Sequence, residues 1–274
     1  MKVAAIQLKS TTDLQANLAR ASKLIQQARN EGAQMCVLPE NFAYFNGPDY
    51  AQHAEKEGDF SGPIGQCLSE CARTNSLWLV GGSIPCRPSS SESAAEKRVF
   101  TTCTVWSPEG ALAAFYHKIH LFDVDLPNSK ESYRESDFFI PGKSPTWVDT
   151  GAFKLGLSIC YDLRFPEYFR LLRDQHVNLL TVPAAFTFQT GQAHWDVLLR
   201  ARAIENQSYV IAANQVGLHT NGRQTWGHSC IIDPWGKVIA ELPDDDEGIA
   251  LAELDANYIN EIRSKLPTQS HKVF

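Results

Sequence analysis

Residues 3–41, VAAIQLKSTTDLQANLARASKLIQQARNEGAQMCVLPEN, read as strand, helix, strand. Residues 3–8 are an apolar run of strand length. Over 13–31, Leu14, Leu18, Ala21, Ile25 and Ala28 recur at three- and four-residue spacing, the period of one helical face, and Gly32 supplies the stop. Residues 34–38 then return as a strand. Such a unit lays its two strands side by side and parallel, so the chain opens as an α/β protein. The second strand ends in VLPEN, which places Glu40 just past its carboxyl end, where α/β folds carry their sites.

The same rhythm continues outward. A helix over about 63–75 leads to a strand at 77–84 (LWLVGGSI), and a polar, Ser-rich loop at 87–97 reads as a surface excursion. Residues 99–106 and 111–117 flank SPEG and predict an antiparallel hairpin, with Lys118 closing its second strand. Residues 119–146 lack a period, contain three prolines and read as a long loop of functional type. The pattern resumes with a strand at 153–160, a helix at 166–176, a strand at 178–184, a helix at 192–206 and a strand at 209–216. A hairpin about Pro234–Gly236, a strand at 248–253 and a helix at 256–264 follow. Helices recur between strands in both halves, with a hairpin in each, which predicts two similar α/β layers in a single domain spanning 1–274.

Composition narrows the function. The chain has 274 residues, 43% of them hydrophobic, enough for an ordinary core. A net charge of -6 gives no basic surface for phosphate backbones, so nucleic acid is not expected as a partner. The acidic run Asp244–Glu247 reads as a solvated loop. No apolar stretch reaches the roughly 18–20 residues of a membrane span, and MKVAAIQLKS turns polar too early for a signal peptide, so neither membrane nor export is expected and the location is read as cytoplasmic. Seven widely spaced cysteines, at 36, 67, 71, 86, 103, 160 and 230, then read as free thiols. Apart from Cys160 they are taken as small apolar residues, slow to alkylate. Cys67 and Cys71 sit four apart in a helix without a second pair at metal-finger spacing, so zinc is not expected.

Three strand ends carry Glu40, Lys118 and Cys160. Each alone has a bland reading: a capping acid, a surface lysine, a core thiol. Together they meet a chemical need. A thiol of ordinary pKa, about 8.5, is barely ionised at neutral pH; a carboxylate can take its proton, and an ammonium can stabilise the thiolate and later an oxyanion. A carboxylate alone would raise the thiol's pKa, so the lysine is required. The turn after Cys160 runs into a helix beginning near Pro166, which places backbone N–H groups such as that of Tyr161 to donate to an oxyanion.

LPEN at 38–41, YHKIHLFD at 116–123 and CYDLRFPE at 160–167 resemble the three signature segments of the nitrilase, or carbon–nitrogen hydrolase, superfamily, in the same order and at similar spacing. The resemblance implies a four-layer αββα sandwich, usually a homodimer joined through helical faces, and a Glu–Lys–Cys triad needing neither metal nor organic cofactor. It gives Glu40 as general base, Lys118 as polariser of the carbonyl and Cys160 as the nucleophile that forms a thioester. Glu135, in YRESDFFIPG, matches a further glutamate that orients the lysine and the substrate. Asp162 and Arg164 are read as structural support that could pair across the turn. Glu205 and Asn206 are read as interior polar ties, and His228 as a hydrogen-bonded buried histidine.

Residues 191–213 resemble the Nit-type branch, whose amidases include those for deaminated glutathione; ω-amidases acting on α-ketoglutaramate and N-carbamoyl amine amidohydrolases are the competitors. A small amide substrate bearing carboxylates would need cationic or ionisable partners, for which Arg173 and His194, and behind them Arg200 and Arg202, are candidates. The branch also implies a Fhit-like partner, here as a separate chain. Three rivals remain: a Cys–His hydrolase, which leaves Glu40 and Lys118 unexplained; a metal site on His117, His120 and Asp123, whose spacing converges poorly; and a scaffold that keeps the fold without turnover, which would not require the triad.

Overall fold

The computed structural model describes residues 1–45, 49–89, 98–127, 132–220, 222–243 and 245–273. Residues 90–97 of the Ser-rich loop and Asp244 of the acidic run lie outside them.

The opening strand–helix–strand forms as read. Strand Lys2–Gln7 pairs in parallel with Met35–Val37, and that with Trp78–Val80. Helix α1 (Leu14–Asn30) joins the first two, its N-terminus capped by the Asp13 side chain, which accepts from Ala16 N–H. Helix α2 (Pro63–Asn75) begins on a proline, whose missing N–H costs nothing at that position. Among the described residues an eight-stranded sheet runs in the order Gly248–Glu253, Lys2–Gln7, Met35–Val37, Trp78–Val80, Phe100–Trp106, Ile84–Arg87, Glu55–Lys56, with Leu112–His117 hairpinned onto Phe100–Trp106. A six-stranded sheet repeats the theme around parallel strands Lys154–Leu157, Leu179–Ala184 and Tyr209–Asn214, flanked by Trp147–Asp149, Cys230–Ile232 and Val238–Glu241. Helices α3 (Pro166–Asp174) and α4 (Phe188–Asn206) connect its parallel strands, and α5 (Ala256–Lys265) follows the last strand.

Strand alternation explains the layering. Val3 and Ala5 face the second sheet and share a core with Leu155, Leu157, Val182 and Ile211, whereas Ala4 and Ile6 face Leu18, Ala21, Ile25, Leu68 and Ala72 of the helices. Sheet packs on sheet, with helices outside: a four-layer αββα sandwich.

Three local departures from the sequence reading bear on the site. The strand expected at 77–84 breaks into Trp78–Val80 and Ile84–Arg87. Gly82 has a φ of 59°, and a Cβ there would lie 2.1 Å from the Pro39 carbonyl oxygen, so the glycine lets this chain press against the Pro39–Glu40 turn. Ser83 then accepts the Asn41 N–H, pinning the residue after Glu40. Second, α4 starts at Phe188, one turn earlier than read, with Thr187 as its N-cap. At Gly191, inside the added turn, the missing side chain makes room for the Trp226 ring. Third, the long loop contains a two-stranded ribbon, Asp123–Asp125 with Ser132–Arg134, and a turn of 3₁₀ helix at Glu135–Asp137. Three-residue strands show no period; a bidentate Arg134–Asp125 ion pair ties this one.

Candidate functional site

Cys160 sits three residues beyond strand Lys154–Leu157, at the head of a 3₁₀ turn, Cys160–Arg164. Its φ is 46°, a conformation that β-carbon-bearing residues rarely hold and that surrounding structure must enforce. Asp162 supplies the enforcement. Fully buried, its carboxylate accepts from Ile159 N–H (2.8 Å) and Tyr116 O–H (2.8 Å) on one oxygen, and from His120 N–H (3.2 Å) and His120 Nδ1 (2.7 Å) on the other. Tyr116 and His120 bracket Lys118, and Ile159 precedes Cys160. One carboxylate thus fixes the lysine strand against the cysteine turn. Asp162 and Arg164 do not pair as the sequence reading allowed: Arg164 reaches the Nδ1 of His194 (3.2 Å) and lies over the Tyr161 and Phe186 rings.

Lys118 Nζ donates to Glu40 Oε1 at 2.7 Å and to both oxygens of Glu135 at 2.8 and 2.9 Å. The other Glu40 oxygen accepts the Ala185 N–H at 2.9 Å, and Glu135 accepts the Phe122 N–H at 2.6 Å. Glu40, Lys118 and Cys160 are all buried, at 3%, 2% and 8% exposure. Burial alone would strip the Lys118 charge, but the Glu135 and Glu40 carboxylates beside it outweigh burial and hold the ammonium charged well above its usual range. Burial, then the Glu40 charge, pushes Glu135 up, against the opposing pull of Lys118.

The thiol behaves differently from the expectation that the lysine would bring it down. Burial and the adjacent Glu40 carboxylate raise the Cys160 thiol well above its ordinary value, and Lys118 offsets only part of this. Two carboxylates to one ammonium leave the cluster net negative, so a thiolate is disfavoured. Burial and Glu40 thus both favour the neutral thiol over the thiolate.

These residues open onto a cavity of about 610 Å³, lined by Glu40, Lys118, Glu135, Cys160 and Tyr161, by aromatic rings including Tyr50, Phe122, Phe138 and Phe186, and by Arg134, Arg164 and Arg223. The site residues named from sequence thus share one cavity, apart from Arg173 and His194. Arg173, buried on α3, packs near Arg263, and His194 stands behind Arg164, because only the first turn of α4, at Thr187 and Thr190, reaches the cavity. Arg200 bonds the Gly236 carbonyl and Arg202 the Leu163 carbonyl. The cavity's arginines are others: Arg134, tied to Asp125 in the ribbon, Arg164, legible as part of CYDLR, and Arg223, which lies in an aperiodic connection and gave no signal. Arg223 bonds the Ala185 carbonyl and crosses the Phe45 and Tyr133 rings.

The rival constellations separate in space. No histidine lines the described cavity. His117 spans Thr102 and Glu57 while His120 turns to Asp162, so they share no focus for a metal; among the described residues no group of three potential ligands converges. Asn206 is an interior tie to the Arg202 carbonyl, as read, whereas Glu205 pairs with Arg202 but is half-buried rather than interior. His228 is half-buried rather than buried and pairs with Glu241.

Comparison with known proteins gives the family. The profile described as "Carbon-nitrogen hydrolase" matches residues 2–264. The chain is 41% identical over 273 residues to the deaminated glutathione amidase of Yersinia enterocolitica, covering 99% of this chain and 93% of that one. It is 39% identical over 277 residues to the omega-amidase NIT2 of Mus musculus, covering 99% and 94%. The crystal structure of the C. elegans NitFhit protein superposes with a TM-score of 0.87 at 36% identity, over 99% of this chain and 65% of that chain. On motif order, fold, site geometry and whole-chain similarity, the chain belongs to the carbon–nitrogen hydrolase family.

Proposed function

We propose that this protein is an amidase that hydrolyses deaminated glutathione to α-ketoglutarate and cysteinylglycine through a thioester on Cys160. The observation that carries the reading is the Lys118 ammonium held between Glu40 and Glu135 at 2.7 and 2.8 Å, in the same cavity as a buried cysteine.

Because the thiol rests neutral, its proton leaves as the sulfur attacks. Glu40 takes that proton while Sγ bonds to the carbonyl carbon. The carbonyl oxygen becomes an oxyanion facing the Lys118 ammonium and the Tyr161 N–H, donors aimed where charge develops. Glu40 then returns the proton to the departing amine nitrogen, the C–N bond breaks, and a thioester remains. A water deprotonated by Glu40 attacks it, releasing the acid and restoring the thiol. Glu135 fixes the lysine throughout, and the steps use only side chains and backbone of the chain. Arg164 and Arg223 at the cavity wall suit the substrate's carboxylates.

Deaminated glutathione and α-ketoglutaramate transfer the same α-ketoglutaryl group to sulfur and differ only in the amine expelled, so a site for that acyl group serves both; this is the ground for ω-amidase activity as the second reading. We further propose that residues 1–274 work as one domain in the cytoplasm and as a homodimer. Leu171 on α3, Val197 and Ile204 on α4 and Trp235 on the hairpin beside Ile204 expose large apolar side chains on that helical face. The name of the C. elegans relative, and its greater length, support a Fhit-like partner.

Acid-quenched intact-mass measurement tests the chemistry. An α-ketoglutaryl adduct on Cys160 is expected from both substrates, with kcat/KM higher for deaminated glutathione. Cys160→Ala should form no adduct and release no amine while keeping the parent's unfolding midpoint. Turnover by Cys160→Ala overturns the mechanism, and a higher kcat/KM for α-ketoglutaramate reassigns the substrate.

A further inference from the structure

In the outer helix layer, Cys67 and Cys71 lie one turn apart on α2 and both meet Ser22 of α1. Ser22 Oγ is 3.4 Å from Cys67 Sγ, and Cys71 Sγ lies 3.2 Å from the same oxygen. Cys67 is half-buried and, with Ser22, lines a groove of about 920 Å³ beside α1 and α2; Cys71 is buried behind it.

This pair departs from the expectation that every cysteine but Cys160 is inert. Burial pushes the Cys36 and Cys86 thiols up to about 12 and raises Cys103 and Cys230 as well. Cys67 moves the other way. The neighbouring Cys71 thiol holds the Cys67 thiol down to about 6, with a smaller contribution from Ser22, against the effect of burial. The Cys71 thiol moves up in turn, chiefly because of Cys67.

Two adjacent thiols can close as a disulfide or clamp a soft cation, and helical spacing decides between them. Positions four apart on a helix keep their Cβ atoms about 5–6 Å apart, whereas a disulfide needs about 3.5–4.5 Å, so an intrahelical disulfide would force α2 open. A bridging metal ion spans the larger gap without distortion. Zinc needs four ligands, and among the described residues no third Cys, His, Asp or Glu converges on the sulfurs. Soft thiolates with few companions select copper(I).

We propose that Cys67 and Cys71 form a two-sulfur site for a thiophilic monovalent cation of the copper(I) class, with Ser22 Oγ setting the position of both sulfurs. With the Cys67 thiol held down to about 6, binding at neutral pH displaces chiefly the Cys71 S–H proton to solvent and moves no electrons between oxidation states. The cation enters along the groove, whose wall carries Asp59 and Glu70. The site is independent of the amidase chemistry.

The test titrates copper(I), anaerobically and against a colorimetric copper(I) chelator, into the full chain carrying Cys160→Ala so that the cavity thiol cannot compete. One equivalent per chain should bind and block iodoacetamide labelling of Cys67. Cys67→Ser and Cys71→Ser should each weaken binding by more than the about 10- to 100-fold that loss of an outer-shell partner costs, and Ser22→Ala by an amount within that range. Failure of the Cys160→Ala chain to bind one equivalent, or equal binding after either serine substitution, overturns the proposal.

Discussion

Two carboxylates share the Lys118 ammonium, and that ratio governs the neighbouring thiol. Since burial and Glu40 raise Cys160 while Cys71 holds Cys67 down to about 6, the two cysteines should respond oppositely to pH. Labelling of Cys67 by iodoacetamide should level off above about pH 6, while labelling of Cys160 climbs past the ordinary thiol range of about 8.5. A neutral plateau at Cys160, read by peptide mass spectrometry, would mean a preformed thiolate. Lys118→Met tests the ammonium. Losing one oxyanion donor costs about 10²–10³ in kcat, and leaving two carboxylates buried without their counter-ion costs about 3–5 kcal/mol. The sign with pH follows from the raised Glu135 carboxyl: the folded variant binds protons more tightly than the unfolded chain. Its stability is therefore fullest below the unfolded carboxyl pKa, about 4.3, and falls as pH rises through the folded value. Urea unfolding at two pH values reads this; equal losses at both would contradict it.

At the scale of elements, the site is a junction between the Leu112–His117 strand and the Cys160–Arg164 turn, and Asp162 is the tie. Asp162→Asn keeps the shape but removes the charge and one acceptor. Hydrogen bonds to charged groups contribute about 1.5–3 kcal/mol, so denaturant unfolding should show a loss of that order. Turnover should fall with it, because the turn holding Cys160 at a positive φ relaxes away from Lys118. A folded Asp162→Asn chain with unchanged kcat/KM would show that the lysine–cysteine spacing is held by something else.

Across the whole molecule, the two sheets bury their inner faces against each other and the helices cover the outer ones, which leaves the α3–α4 face with Leu171, Val197 and Ile204 in water. A dimer on that face should dissociate on Ile204→Glu, read as a halved mass in sedimentation; a monomeric parent would refute the homodimer instead.

The sequence by itself determined the layers and the chemistry-bearing residues. Hydrophobic periods of two and 3.6 depend only on local spacing, so α1, α2 and the parallel strands are legible residue by residue, and Glu40, Lys118 and Cys160 follow because each ends or just passes a strand that fixes its backbone. Only the tertiary structure decided which charges meet. The bond from Lys118 to Glu40 crosses 78 positions of chain, and no local period encodes such a distance. For the same reason the raised Cys160 thiol, the Asp162 tie, and the cavity's Arg164 and Arg223 in place of Arg173 and His194 emerge only when distant segments are packed together and water is removed from between them.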